Sequence, residues 1–365
     1  MSQARAKVLF ITSQGAFQLY GGAETALIML KHYLEKKGII CRIYSYEDNF
    51  HDYDIVYLHN VSQFPIEAFR LVQLAKSAGA RVISSPIYWS SFESALEYGV
   101  GIKKFAHLIA YLISVFVSKT GIDFGLQSSP RLMKLALEQS DLVIVNSNAE
   151  SELISRHFMI PKRKIRVVYN GVDPNIELAD PKIFMNKYDI SDFILYVGRI
   201  EPRKNVLRLI KAFNKTALDT HLVIIGRPMQ EFYKYYWDLC LKEAAKNPKK
   251  IHFLGSFKYS SELLKSAYVS ARVFVLPSFY ETPGLSAIEA AVAGAKLVIT
   301  NRGCTREYFS DFAIYVDPLS VESIAKGLIK AYHSPVNEDL KRHILTNFTW
   351  EKSGDQFIKI IKSIV

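Results

Sequence analysis

Two segments in the second half of the chain carry residue types and spacings suited to a polyanion with hydroxyl groups beside it. The first is GRIEPRKN, Gly198 to Asn205, which sets Arg199 and Lys204 directly after an apolar β-branched run and before a stretch of helical period. A strand-to-helix turn aims backbone N–H groups and the positive end of a helix dipole at one place, so anions bind there, and two cations in that turn can neutralise a diphosphate. Taken alone, the segment also reads as a solvated basic loop. The second is PSFYETPGLSAIEAAVAGAKLVIT, Pro277 to Thr300, which again follows a strand. Glu281 sits in its loop, and Pro283 and Gly284 open a helix whose first turn presents the amides of Gly284, Leu285 and Ser286. Glu289 comes eight residues after Glu281. A carboxylate oxygen accepts two hydrogen bonds, which suits it to the vicinal hydroxyls of a sugar or ribose. Singly, Glu281 reads as a helix-capping acid and Glu289 as a surface residue of an Ala-rich helix. After a basic turn on a strand of the same sheet, the pair is harder to dismiss.

Loops of this kind need strands behind them, and the sequence supplies two sets. KVLFIT (Lys7 to Thr12), DIVYLH (Asp54 to His59), RVISS (Arg81 to Ser85), LVIVN (Leu142 to Asn146) and IRVVY (Ile165 to Tyr169) alternate with helical stretches such as Ala23 to Lys37 and Pro65 to Ala78. Gly38 and Gly79 stand where helix ends accept the left-handed conformation. The alternation predicts a parallel sheet wound with helices. NGVDPNIELADPK, Asn170 to Lys182, has two prolines and no apolar periodicity and reads as a linker. A second unit follows, with strands at FILYV (Phe193 to Val197), HLVII (His221 to Ile225), IHF (Ile251 to Phe253), VFVL (Val273 to Leu276), KLVIT (Lys296 to Thr300) and AIYV (Ala313 to Val316). The predicted domains are 1–175 and 183–345, followed by a helix over 346–365. Its Phe357, Ile360, Ile361 and Ile364 form one apolar face that something must cover. Two open α/β sheets hold ligands beyond the carboxyl ends of their strands, so a cleft between the domains is the expected site.

Composition narrows the class further. The 365 residues favour two domains, and 49% hydrophobic with 22% charged residues is ordinary globular usage. Lys+Arg 46 against Asp+Glu 35 gives a net charge of +11, which favours anionic partners without choosing among phosphates, acidic lipid and nucleic acid. Cys41, Cys240 and Cys304 form neither a disulfide framework nor a CxxC metal site, as expected in a reducing cytosol. KVLFIT is too short for a secretory core, and the apolar run Phe105 to Val117 is shorter than the roughly 20 residues of a membrane span. Asp52 and Asp54 form a DxD, the pattern that holds a metal in some transferases, but they precede a strand where a crevice ligand would follow one; the reading is a solvated turn. The GVG at Gly99 to Gly101 lacks the third glycine and the strand of a dinucleotide fingerprint, so NAD is not indicated. Lys103, His107, Tyr111, Ser114 and Ser118 make a narrow polar stripe on an apolar helix. That helix packs in the first domain, docks on a membrane surface or shelters a lipid-linked acceptor, and the segment is expected to set acceptor choice.

GRIEPRKN, the Glu281–Glu289 pair, YNGVD at Tyr169 to Asp173 and GGAE at Gly21 to Glu24 together resemble a retaining glycosyltransferase of family 4, with the GT-B fold of two Rossmann-like domains. The resemblance implies that Arg199 and Lys204 hold the diphosphate of a nucleotide sugar, Glu289 its ribose and Glu281 the transferred sugar. It implies that Gly198, Gly284 and Leu285 approach the donor, and that Gly21 and Gly22 close over it from the first domain. The C-terminal helix would cross back onto that domain. Many relatives carry an active-site His in a stretch like HDYW; SPIYW stands here, with Pro86 at that position, so no such role carries over. His59, at the end of the preceding strand, is expected in a core or loop role. The expected function is metal-independent transfer from a UDP- or GDP-linked sugar to a glycan or lipid-linked acceptor, in the cytoplasm and with a peripheral contact to anionic membrane, as in surface polysaccharide assembly. No cofactor and no nucleic acid are expected. A nucleotide-sugar epimerase of the same fold and a non-catalytic, nucleotide-sugar-binding or membrane-docking subunit are the alternatives.

Overall fold

The computed structural model describes residues 6–89, 129–228 and 230–364. The Lys103 to Ser118 helix and the Gly99 to Gly101 motif lie outside them. The chain divides into one unit of residues 1–170 and 350–365 and a second of residues 171–349.

The first unit is built on a parallel six-stranded sheet in the order β2-β1-β3-β4-β5-β6. Its strands are β1 Lys7–Ile11, β2 Ile40–Ile43, β3 Ile55–His59, β4 Arg81–Ser85, β5 Leu142–Val145 and β6 Ile165–Val167. The central strands are continuous apolar runs because helices cover both faces. Alternate residues feed two cores: Leu9, Val56, Val82 and Val143 on one side, and Val8, Phe10, Ile55, Tyr57 and Ile144 on the other. The sequence pattern did not reveal β2. Its ICRI lies at the sheet edge with no fully buried residue, so it lacks the apolar run that marks its neighbours.

The second unit has a parallel sheet in the order β12-β11-β10-β7-β8-β9. Its strands are β7 Phe193–Val197, β8 His221–Ile225, β9 Ile251–Phe253, β10 Val273–Leu276, β11 Lys296–Thr300 and β12 Ile314–Val316. The expected linker is in fact part of this unit. Asp173 and Asp180 each cap a turn that opens on a proline, accepting from the amides of Asn175 and Lys182. The helix Pro181–Tyr188 then buries Phe184 completely, and Ser266 accepts from the Phe184 amide at 2.8 Å while donating to the Asp180 carbonyl at 2.6 Å. The seams therefore fall between Asn170 and Gly171 and between Thr349 and Trp350, not at 175–183 and 345–346.

The terminal helix, Trp350–Lys362, belongs to the first unit and packs on the helix Gly22–Lys36. Phe357 and Ile361 are buried, and the Phe357 ring meets Tyr57 edge-on at 5.2 Å. Ser353 donates to the Tyr169 carbonyl at 2.6 Å and Tyr33 donates to Asp355 at 3.0 Å. Gly354 lets the two helices close: a Cβ there would lie 1.8 Å from Tyr33 Cδ1 and 2.7 Å from its Cγ. The clash reaches the root of the ring, so the whole side chain would have to move. Gly354→Ala is expected to lower stability by about 1 to 3 kcal/mol, as overpacking does. A shift of the urea midpoint measures it, and an unchanged midpoint contradicts the packing.

Candidate functional site

In the second sheet β7 lies between β8 and β10, and the chain leaves it in one direction and later returns on the other side. Open α/β sheets form their ligand crevice at such a reversal, beyond the carboxyl ends of the strands. Both sequence-predicted loops start there, one after β7 and one after β10.

The loop after β7 is fastened by its own backbone. The Gly198 amide donates to the Ile225 carbonyl at 3.0 Å and the Ile200 amide to the Arg227 carbonyl at 2.9 Å. Gly226 makes this possible, since a Cβ there would lie 1.8 Å from the Gly198 oxygen. Half-buried Arg199 has its carbonyl held by the Tyr196 hydroxyl at 2.8 Å. A 3-10 turn, Pro202–Lys204, then leads into the helix Val206–Lys215 through Asn205, which takes the left-handed conformation at φ 62°. The buried Asn205 amide donates to the carbonyls of Pro277 at 2.9 Å and Pro318 at 2.7 Å, joining the loops that follow β7, β10 and β12. Arg203 adds a second tie: its guanidinium donates to the Tyr280 carbonyl at 3.2 Å and its carbonyl accepts from the Phe279 amide at 2.9 Å.

These ties bring Lys204 Nζ to 2.5 Å from Glu281 Oε1, with the two side chains only 14% and 4% exposed. Burial works to raise the Glu281 carboxyl, but the charges of Lys204 and Arg203 hold it below the ordinary carboxylate value. Burial lowers the Lys204 ammonium, with Glu281 opposing. The Glu281 backbone is seated by the loop after β11. Its carbonyl accepts from the Cys304 amide at 3.2 Å, and Gly303 bridges it at φ 87°, where a Cβ would lie 2.1 Å from the Glu281 oxygen. Gly284, also at φ 87°, opens the helix Leu285–Val292; a Cβ there would meet Leu276 at 2.9 Å and Glu281 Oε2 at 3.3 Å. Leu285 is the first residue of that helix, where amides have no partner within the helix. Glu289 lies further along it, 5% exposed, and its Oε2 accepts from the Tyr268 hydroxyl at 2.7 Å. The structure thus gathers Gly198, Arg199, Lys204, Glu281, Gly284, Leu285 and Glu289 on two adjoining loops and the helix that follows. Asn205, Gly226, Gly303 and Tyr268 were missed by sequence reasoning. A glycine after an apolar strand was the available signal for two of them, and the partners that give all four their roles lie far away in the chain.

Gly21 and Gly22 lie in the first unit, where the sheet order reverses between β1 and β3. The Gly21 amide donates to Glu24 Oε2 at 2.8 Å at the start of the helix Gly22–Lys36. His59 is buried beside them. Its Nε2–H donates to the Ala23 carbonyl at 2.8 Å, which leaves Nδ1 to accept from the Tyr57 hydroxyl at 3.3 Å, and burial pulls its pKa down to about 4. It is therefore a neutral residue that fixes the helix start to β3. The SPIYW loop is held by Glu150, which accepts from the amides of Tyr88 at 2.6 Å and Asn146 at 2.7 Å. Asp54 sits at the opposite end of the sheet, accepting from the Lys7 amide at 2.8 Å, and Asp52 ends a 3-10 turn nearby. Among the described residues no three His, Cys, Asp or Glu side chains cluster as metal ligands would.

Residues 183–348 match the family model described as glycosyl transferases group 1, and residues 20–176 match that described as glycosyltransferase family 4. The two models cover both units, and the chain belongs to the family 4 glycosyltransferases. It is 28% identical over 275 residues to an uncharacterised glycosyltransferase of Methanocaldococcus jannaschii, covering 69% of each chain. It is 29% identical over 247 residues to O-antigen chain mannosyltransferase B of Escherichia coli, covering 62% of each, so less than two thirds of that relative is matched. Among solved structures, sucrose-phosphate synthase of Thermosynechococcus elongatus has a TM-score of 0.77 at 16% identity, covering 99% of both chains. Anabaena HepE, solved with UDP and glucose, has a TM-score of 0.72 at 15% identity, covering 98% of this chain and 100% of that one. The fold is the two-domain GT-B fold.

Lys204→Met would leave Glu281 buried with only Arg203 to neutralise it. Breaking a buried pair from one side costs about 3 kcal/mol or more. In the wild-type protein the lowered Glu281 pKa contributes stability that is present above its ordinary value of 4.5 and lost as pH falls through the folded value. The variant's deficit should therefore hold from neutral pH down to about 4.5 and narrow as pH falls below that value. Denaturant titrations across that range check it, and a deficit independent of pH contradicts the pair.

Proposed function

We propose that the chain is a retaining glycosyltransferase that takes a sugar from a UDP- or GDP-linked donor and adds it to a glycan or lipid-linked acceptor in cell-surface polysaccharide assembly. The observation that carries this reading is the meeting of Lys204 and Glu281 at the reversal of the second sheet, beside a helix N-terminus and with Arg199 in the same loop. Relatives support the substrate class: one is an O-antigen chain mannosyltransferase, and HepE was solved with UDP and glucose.

Arg199 and Lys204 take the donor diphosphate, Glu281 a hydroxyl of the transferred sugar and Glu289 the ribose. Gly198 and the Gly284 and Leu285 amides lie close to the donor. Breaking the sugar–phosphate bond builds negative charge on the β-phosphate as positive charge develops on the sugar. Fixed cations and helix amides aimed at that oxygen favour this transition state over the bound donor. The departing diphosphate accepts the acceptor's proton, so the step needs no base at Pro86. Two side-chain cations do the work that a metal would do on the diphosphate. The site is cytoplasmic, with an anionic membrane surface as neighbour for a lipid-linked acceptor.

Incubation with a panel of nucleotide sugars tests the reading: slow release of free nucleotide and of sugar with retained configuration is expected. Conversion of the donor without nucleotide release identifies an epimerase, and binding without either identifies a non-catalytic subunit. Arg199→Ala and Lys204→Ala should each lower turnover by roughly 10² to 10³, the scale of losing one charge-stabilising donor. Unchanged rates in both remove the diphosphate role. Activity should also persist in excess chelator, and strict metal dependence contradicts the assignment of the two cations.

A further inference from the structure

We propose that Tyr268, with Tyr259 beside the same carboxylate, is a positioning residue for Glu289, a phenol donor that orients the carboxylate so that its remaining acceptor sites meet the vicinal hydroxyls of a nucleotide ribose. The inference rests on the donor reading above and adds the residues that set the strength of the ribose grip.

The two phenols come from different elements. Tyr268 lies in the helix Glu262–Ser270, is 1% exposed, and its hydroxyl donates to Glu289 Oε2 at 2.7 Å. Tyr259 lies in the loop after β9, and its phenol stands close enough to Glu289 to favour the ionised carboxylate. Glu289 stands on the helix that begins at Gly284, whose missing Cβ leaves room for Glu281. A carboxylate offers about four acceptor sites. The Tyr268 phenol fills one of them, which leaves sites for the two O–H donors of a ribose diol. A buried carboxylate gripped by a buried phenol also loses rotamer freedom before the ligand arrives, which favours tight binding.

The surrounding charges are few. Asp173 faces the carboxylate and repels it. From the turn Pro174–Leu178, Glu177 is paired with Lys341, and in the helix Glu338–Asn347 His343 shares its Nε2 hydrogen with the Tyr308 carbonyl at 3.1 Å. Burial pushes the Glu289 carboxyl up to about 7, the two phenols oppose this, and Asp173 adds to it. The ribose grip therefore strengthens as pH rises through neutrality, and removing a phenol moves that change to higher pH.

The experiment measures, by calorimetry on the full chain, the affinities for UDP and GDP and for the 2′,3′-dideoxy analogue of the tighter one, from pH 6 to 8.5. The readout is the ratio of the two affinities, which isolates the diol. In the wild-type protein the ratio should rise several-fold through about pH 7. In Tyr268→Phe it should fall about fivefold at pH 7.5, with its midpoint displaced upward. Tyr259→Phe, at a half-buried loop position, should behave alike and serves if the core variant fails to fold. Glu289→Gln should give a low ratio independent of pH. If both Phe variants keep the wild-type ratio and midpoint while Glu289→Gln flattens the profile, the positioning role is overturned and the donor reading stands. If Glu289→Gln changes nothing, or neither nucleotide binds, both fall.

Discussion

The ion pair between Lys204 and Glu281 is the contact on which the rest of the second unit converges. Two ionised groups can stay buried only if each has the other within reach. Their strands are separated in sequence by β8 and β9, so the pair forms only when β7 and β10 lie side by side and both loops leave the same end of the sheet. The pair thus ties the topology to the chemistry: a sheet wound in another order would strand a charge. The pair also holds the lysine's charge at this loop, in place for any phosphate that competes for it.

Around that pair the structure works by removing atoms as much as by supplying them. Gly226 admits the Gly198 carbonyl, Gly303 admits that of Glu281, and Gly284 turns the chain beside the Glu281 carboxylate. Each is a place where a Cβ would collide. The positive φ at Gly284 and Gly303 adds a second reason for glycine. The first unit uses buried polar groups instead. His59 and Glu150 fasten the loops at its carboxyl edge to the helix start and to β5, each through bonds to backbone, with His59 also bonded to the Tyr57 hydroxyl.

Much of the fold was legible because parallel strands covered on both faces write themselves as short apolar runs. Every strand with such a run was found, and β2, a short edge strand, was not. The segment from Asn170 to Lys182 was misjudged for a related reason: its order comes from Asp173, Asp180 and two prolines at turn starts, with the anchoring Phe184 just beyond it. At the site, Arg199, Lys204, Glu281 and Glu289 stood out because charge next to an apolar strand is conspicuous. Asn205 and Tyr268 did not, since an amide bonded to Pro318 and a phenol bonded to a glutamate are relations between distant positions, invisible to local pattern. The Lys103 to Ser118 stripe, on which acceptor choice was expected to turn, lies outside the described residues.

The loops after β7, β8, β10 and β11 are stitched to one another chiefly through main-chain atoms: Gly198 to Ile225, Ile200 to Arg227, Phe279 to Arg203, and Cys304 to Glu281. Bonds of that sort are indifferent to what grows from the neighbouring α-carbons. A side chain beside such a bond can consequently change without unpicking it. A lineage carrying this architecture has room to retailor what it recognises, one substitution at a time, while the seam that holds the loops stays sewn.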